Sequence, residues 1–143
     1  SDPMPAKNIY HDAVVDALRA DGWTITHDPL GARVGSRRLF VDLAADRSAV
    51  GAERDGERIA VEVQSFVSRS DLEDFHRAVG QYVVYRAVLR VAHPGRVVYL
   101  AVPTFVYDGI LSEPLGRLVA RDVALKVLVV DHATRKVTRW TTS

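Results

Sequence analysis

Two carboxylates in this chain stand where carboxylates are costly. Asp42 follows Leu39-Phe40-Val41 and precedes Leu43-Ala44, and Glu62 lies inside Ile59-Ala60-Val61-Glu62-Val63-Gln64-Ser65-Phe66. Both segments carry the alternating apolar pattern of strands. With a side-chain period of two, Ala60, Glu62, Gln64 and Phe66 share one face of the second segment, opposite Ile59, Val61 and Val63. In the first, Arg38, Phe40, Asp42 and Ala44 share a face, opposite Leu39, Val41 and Leu43. If the two strands are neighbours, Asp42 and Glu62 converge. A carboxylate among apolar residues loses its hydration, and two held together repel unless a cation or a shared proton compensates. Such an oxygen-only pair suits Mg²⁺ or Mn²⁺, which keep several waters. The residues alone leave a second reading open, in which the two face solvent or pair with Arg38 and other basic groups.

The elements that must position this pair are readable from pattern. Residues 6–21 predict a helix, with Ile9, Ala13 and Ala17 at helical spacing beside Tyr10, Val14 and Leu18, closed by Asp21-Gly22. Strands are predicted at 23–27, 37–44 and 58–66. A turn at Asp28-Pro29-Leu30-Gly31 separates the first two, and an Ala-rich charged connection running to Arg54-Asp55-Gly56 separates the last two. Ser70 and Glu73 fit a capping box that opens a second long helix. Leu72, Phe75, Val79 and Val83 give that helix its spacing, it runs to about Val91, and His93-Pro94-Gly95 stops it. Strand 96–102, helical pieces at 105–111 and 114–121, strand 124–130 and a hairpin partner at 136–141 complete the chain. The order α, β, β, β, α, β, α, β, β predicts an α/β protein of the α+β type, a mixed sheet flanked by helices.

Other polar residues carry weaker signals. Gln81 and Tyr85 lie one turn apart on the second helix and share a face; contact with a phosphate or base and, for Tyr85, plain core packing are both open. His11 or Asp12 on the first helix could approach a metal or simply face solvent. Asp46 and Glu53 could add outer carboxylates or belong to a solvated connection. Arg33, Arg37, Arg38, Arg69 and Arg77 are grouped around the two carboxylate segments, as a phosphate-tracking rim or as ordinary surface.

Composition excludes several chemistries. The 143 residues are 48% hydrophobic and 26% charged, with 19 Lys+Arg against 18 Asp+Glu and a net charge of +1, so no broad basic surface is present. One domain is expected, over 4–143, with Ser1-Asp2-Pro3 read as tag residues before Met4. There is no cysteine, hence no disulfide, thiol nucleophile or Cys-ligated zinc. The five histidines lack zinc spacing, the serines lack a nucleophile elbow, and no P-loop is present. No apolar run reaches the roughly 20 residues of a membrane span, and no signal peptide is apparent, so a cytoplasmic setting is expected.

The same residues carry a resemblance. An Asp on one strand followed by Glu-x-Lys on the next, in an α-β-β-β-α-β frame, resembles the PD-(D/E)XK nuclease superfamily; Asp42 and Glu62-Val63-Gln64 are the matching set. Gln81 and Tyr85 match the Gln-x-x-x-Tyr pattern of its RecB-like branches. More closely, Met4–His11, Asp21–Pro29, Val41–Ala45, Ile59–Phe66, Gly80-Gln81-Tyr82, Tyr99–Pro103 and Ser112-Glu113-Pro114 resemble the XisH family across residues 4–141. The resemblance implies a restriction-endonuclease-like αβββαβ core and an endonuclease-like protein, named for control of excision of a DNA element. It implies Mg²⁺ or Mn²⁺ held by Asp42 and Glu62, with Gln64 as the third catalytic position. It implies DNA and an XisI-like companion as partners, and a homo-oligomer is a further candidate. The usual Lys is Gln64 here, which donates a hydrogen bond but brings no charge. Arg38 and Arg77 are candidates for the missing cation, and His11, Gln81 and Tyr85 for DNA contacts. The alternative is a degenerate nuclease-fold module that binds DNA or its companion without cutting.

Overall fold

The computed structural model describes residues 6–48 and 56–142. Helix α1 spans Ala6–Ala20. Strands β1 (Thr24–His27), β2 (Leu30–Val34), β3 (Arg37–Val41), β4 (Leu43–Arg47) and β5 (Glu57–Val63) follow, then the long helix α2 (Asp71–Ala92) and strand β6 (Val97–Val102). Helix α3 (Thr104–Asp108), a 3-10 turn at Ile110–Ser112 and helix α4 (Pro114–Val123) lead into strands β7 (Lys126–Asp131) and β8 (Lys136–Thr142). Six strands form one sheet in the order β1-β4-β5-β6-β7-β8, and β2 pairs with β3 in a separate two-stranded ribbon. The β5-β6 and β6-β7 pairs are parallel, because helices cross over between them; β1-β4, β4-β5 and β7-β8 are antiparallel. This is the mixed sheet flanked by helices that the pattern predicts.

Each face of the sheet has its own core. Under α1, the helix residues Tyr10, Ala13, Val14, Ala17 and Leu18 meet Leu43, Ala45, Ile59, Val61, Ala101, Leu128 and Val130. Under α2, Phe75, Ala78, Tyr82 and Leu89 meet Ala44, Ala60, Leu100, Val102, Val127 and Val129. The alternation of these two sets along β4, β5, β6 and β7 is the strand period made physical. Ala44, Ala45, Ala60 and Ala101 are fully buried, and their small side chains let both helices approach the sheet closely.

Several expectations need correction. The strand predicted over 37–44 is two strands that belong to different sheets, with Asp42 alone between them. Face sharing therefore breaks there: Val41 lies in the core under α2 with Ala44, and Leu43 lies under α1. The predicted turn at Asp28–Gly31 gives way at Leu30 to strand β2, and the Ala-rich connection is strand β4 as far as Arg47. On α2 the buried stripe runs through Phe75, Ala78, Tyr82 and Leu89, while Leu72 and Val83 are exposed. The capping box at the start of α2 is half formed: the Ser70 hydroxyl accepts from the Glu73 N–H at 3.2 Å, but the Ser70 N–H donates to the Ser68 hydroxyl. Glu53 lies outside the described residues.

Candidate functional site

The site is built where the chain changes sheets. β4 pairs with β5 with Leu43 opposite Val61, so Asp42, one residue earlier, stands level with Glu62. Before Asp42 the chain leaves the main sheet for the ribbon, and β5 loses its antiparallel neighbour. Successive N–H groups along a strand point to alternate sides. The Gln64 N–H points towards β6 and donates to the Ala101 carbonyl at 2.9 Å. The Val63 N–H points to the vacated side, and the Asp42 carboxylate accepts from it at 2.8 Å. Asp42 thus completes the sheet with its side chain. A charge-assisted bond of this kind contributes ~1.5–3 kcal/mol and holds the carboxylate in one orientation.

Glu62 sits beside it in the α2-side core, only 4% exposed. Its carboxyl is pushed up to about 10, first by burial, then by a side-chain hydrogen bond to Asp42 and the charge of that carboxylate, with the Val63 N–H acting in the opposite sense. With Glu62 ionised, its buried Oε2 atom finds no hydrogen-bond donor among the described residues. Buried polar atoms are rarely left in this condition, because an unpaired one costs about 1–3 kcal/mol. An orphaned, buried carboxylate oxygen next to a second, fixed carboxylate is the environment that a divalent cation fits. Among the described residues no third Asp, Glu, His or Cys joins a metal-binding group with them. Two protein carboxylates with the remaining positions left to water or substrate oxygens suit Mg²⁺ and Mn²⁺ better than Zn²⁺.

Helix α2 supplies the rest. Gln64 leaves the end of β5 half-buried, and its amide N–H donates to the Gln81 side-chain oxygen. The Tyr85 phenol, one turn further on, is held above its usual range by burial and then by the charges of Glu62 and Asp42, which places it in the field of both. Just past Gln64 the chain has left the sheet, and Phe66 is buried at φ +54°, a conformation that L-residues adopt at a cost.

Asp42, Glu62, Gln64, Gln81 and Tyr85 are therefore gathered together, and three other candidates make their contacts with other residues. His11 pairs with Asp28 at 2.9 Å. Arg77 stands 3.9 Å from Asp74 on its own helix. Arg38 lies on the ribbon, exposed, with its guanidinium over Phe40. Among the described residues no Lys or Arg makes an ion pair with Asp42 or Glu62. Asp46 is also no outer ligand: it pairs with the buried Arg96 at 2.9 Å and with Arg58 at 3.7 Å. The contribution that pattern reading missed is the Val63 N–H. No sequence signal marks it, because it becomes a donor to Asp42 only when the chain switches sheets.

No curated protein matches the chain. Two crystal structures at 1.60 Å resolution do. An XisH family protein from Nostoc punctiforme PCC 73102 is 37% identical, with a TM-score of 0.84, over 92% of this chain and 98% of its own. An fdxN element excision controlling factor protein from Anabaena variabilis is 38% identical, with a TM-score of 0.83, over 93% of this chain and 98% of its own. The family model for the XisH protein matches residues 4–138, a span that contains every element from α1 to the start of β8, and the chain belongs to the XisH family.

Proposed function

We propose that this protein is a metal-dependent DNA endonuclease of the PD-(D/E)XK type that acts in the control of DNA element excision. The excision role comes from the Anabaena variabilis relative, which is named as such a controlling factor. The observation that carries the chemistry is the buried Glu62 carboxyl, with its orphaned Oε2, beside the half-buried Asp42 carboxylate. Mg²⁺ or Mn²⁺ bound there supplies the positive charge that favours ionisation of an attacking water and offsets charge on the phosphate. Asp42, fixed by the Val63 N–H, and Glu62, fixed by burial, are the ligands. Gln64 spends one amide N–H on Gln81 and keeps a second N–H and its carbonyl oxygen to orient a water. The Gln81 amide donors and the Tyr85 hydroxyl, on the same helix face, position the phosphate.

A nicking assay on supercoiled plasmid and linear duplex with Mg²⁺ or Mn²⁺ tests this. The expected result is cleavage by the wild type that disappears in Glu62→Ala. Cleavage that persists in EDTA, or in Glu62→Ala, contradicts it.

One observation favours a second reading. Gln64 brings no charge to the position of the usual Lys, its amide is tied to Gln81, and no described cation pairs with the carboxylates. On that reading the chain is a non-cutting module that binds DNA, an XisI-like companion or both. Gln64→Lys separates the two: cleavage created from none identifies a degenerate nuclease, and cleavage already present in the wild type removes the module reading.

A further inference from the structure

The β2–β3 ribbon takes no part in the carboxylate site, yet it leads straight into it. From Leu30 to Val41 it carries Arg33, Arg37 and Arg38 and no acidic residue. All three arginines are exposed, and none makes an ion pair among the described residues. Arg33 and Arg38 stand directly opposite each other across the ribbon. Like charges so placed destabilise a strand pair, so this face holds a concentration of positive charge that an anion would relieve.

The ribbon is anchored on one side only. Leu30, Ala32 and Val41 are buried in the core under α2, and the His93 Nε2–H donates to the Gly31 carbonyl at 2.9 Å. The opposite face carries Gly31, Arg33, Arg38 and Phe40 by strand alternation. Phe40 is half exposed and lies across Gly31, where a Cβ would stand 3.6 Å from the ring, and Arg38 extends over that ring at 5.9 Å. The tip is a two-residue turn, Gly35-Ser36, with Gly35 at φ +59° and open space beside it.

We infer that this ribbon is an arm that docks in the major groove of B-form duplex DNA, with Arg33 and Arg38 as its principal contacts. The choice of nucleic acid as ligand rests on the endonuclease reading, and the choice of form rests on shape. Two strands about 5 Å apart and five residues long, about 17 Å, make a slender ribbon. The B-DNA major groove, about 12 Å wide, admits a two-stranded ribbon, whereas the deep, narrow major groove of A-form RNA does not. Because β3 ends at Val41, Arg38 lies about 13 Å along the strand from Asp42. A duplex held by the arm is thereby brought within reach of the carboxylates.

The test is binding of the whole protein to a labelled DNA duplex of about two helical turns in EDTA, by fluorescence anisotropy across a salt series. The double variant Arg33→Ala/Arg38→Ala is expected to bind at least about tenfold more weakly, with a slope of log K against log salt shallower by about 2. Arg117→Ala/Arg121→Ala, which removes the same charge from exposed positions of α4, is expected to change affinity less than about twofold. Mn²⁺ affinity, read by calorimetry, is expected to be unchanged in the ribbon variant. The inference is overturned by an unchanged salt slope, by an equal loss in the α4 variant, by equal binding of an A-form RNA duplex, or by no DNA binding in the wild type. DNA binding through the arm without any cleavage leaves this inference standing and removes the nuclease reading. Cleavage by the wild type together with undiminished binding by the ribbon variant removes this inference alone and points to an acidic protein surface as the arm's ligand.

Discussion

Replacing Glu62 with glutamine should make the metal-free protein more stable at alkaline pH. In the native protein the Glu62 carboxyl is pushed from 4.5 to about 10, chiefly by burial and then by Asp42. The unfolded chain has no such environment and loses this proton near the ordinary glutamate value. Between those limits the native state holds one proton more than the unfolded state, so stability falls as pH rises, by about 1.4 kcal/mol per pH unit. The contribution is fully present below about pH 4.5 and is lost as pH climbs towards 10. From about pH 6 to about pH 9 the loss is about 4 kcal/mol, on the order of 10 °C in Tm for a chain of this size. The substituted amide cannot ionise, so Glu62→Gln abolishes the slope while keeping the shape of the protonated acid. Subtracting the two pH profiles, each measured by thermal and urea unfolding in EDTA, cancels the titrating groups that do not interact with Glu62 and leaves the titration of the Asp42–Glu62 pair. The variant is expected to match the wild type near pH 5 and to exceed it progressively up to about pH 9. Saturating Mg²⁺ should reverse the order, because the cation replaces the proton and binds only the wild type tightly. Parallel profiles in EDTA, or a variant that is weaker at every pH, would refute the reasoning.

Other expectations follow from the packing. Gly116→Ala places a Cβ 1.8 Å from the Ile110 carbonyl oxygen, so α4 must shift off the 3-10 turn; a loss of about 3 kcal/mol or more is expected in urea unfolding. Arg96, just before β6 and 3% exposed at its side chain, donates to the Ile59 carbonyl at 3.0 Å and to Asp46 at 2.9 Å, tying β4 to β5. Arg96→Ala should cost about 2–3 kcal/mol with unchanged metal affinity. Ser70→Ala removes the cap of α2 and should lower stability by about 1 kcal/mol, read from the unfolding midpoint.

The parts of this fold that were legible in the sequence are those governed by local pattern. α1 announces itself by its stripe from Tyr10 to Leu18 and its closing Gly22, and α2 by Ser70 at one end and His93-Pro94-Gly95 at the other. The valine-rich strands β6 and β7 are equally plain. β4 was hidden because Ala44, Ala45 and Asp46 are poor strand formers; Ala44 and Ala45 lie in the cores under α2 and α1, where small residues fit, and Asp46 pairs with Arg96 and Arg58. β2 was hidden because Asp28-Pro29 marks a turn and Gly31 extends that signal, whereas the Gly31 position serves to seat Phe40. Asp42 and Glu62 were legible as a converging pair, though for a reason only partly visible. Alternation implied one continuous strand; the convergence is made by a sheet switch that leaves the Val63 N–H for Asp42 to satisfy. Gln81 and Tyr85 followed from helical spacing. The separation of Arg38 and Arg77 from the carboxylates depends on the ribbon and on Asp74, which no spacing rule reveals.

The central claim is that the Asp42–Glu62 carboxylate pair holds a divalent cation. Anomalous scattering from a crystal soaked in Mn²⁺ tests it most directly. The account predicts one strong peak within about 2.2 Å of oxygens from both Asp42 and Glu62, absent from a soaked Glu62→Gln crystal. A wild-type map with no peak there, and with the two carboxyl groups hydrogen-bonded to each other through a shared proton, would contradict it.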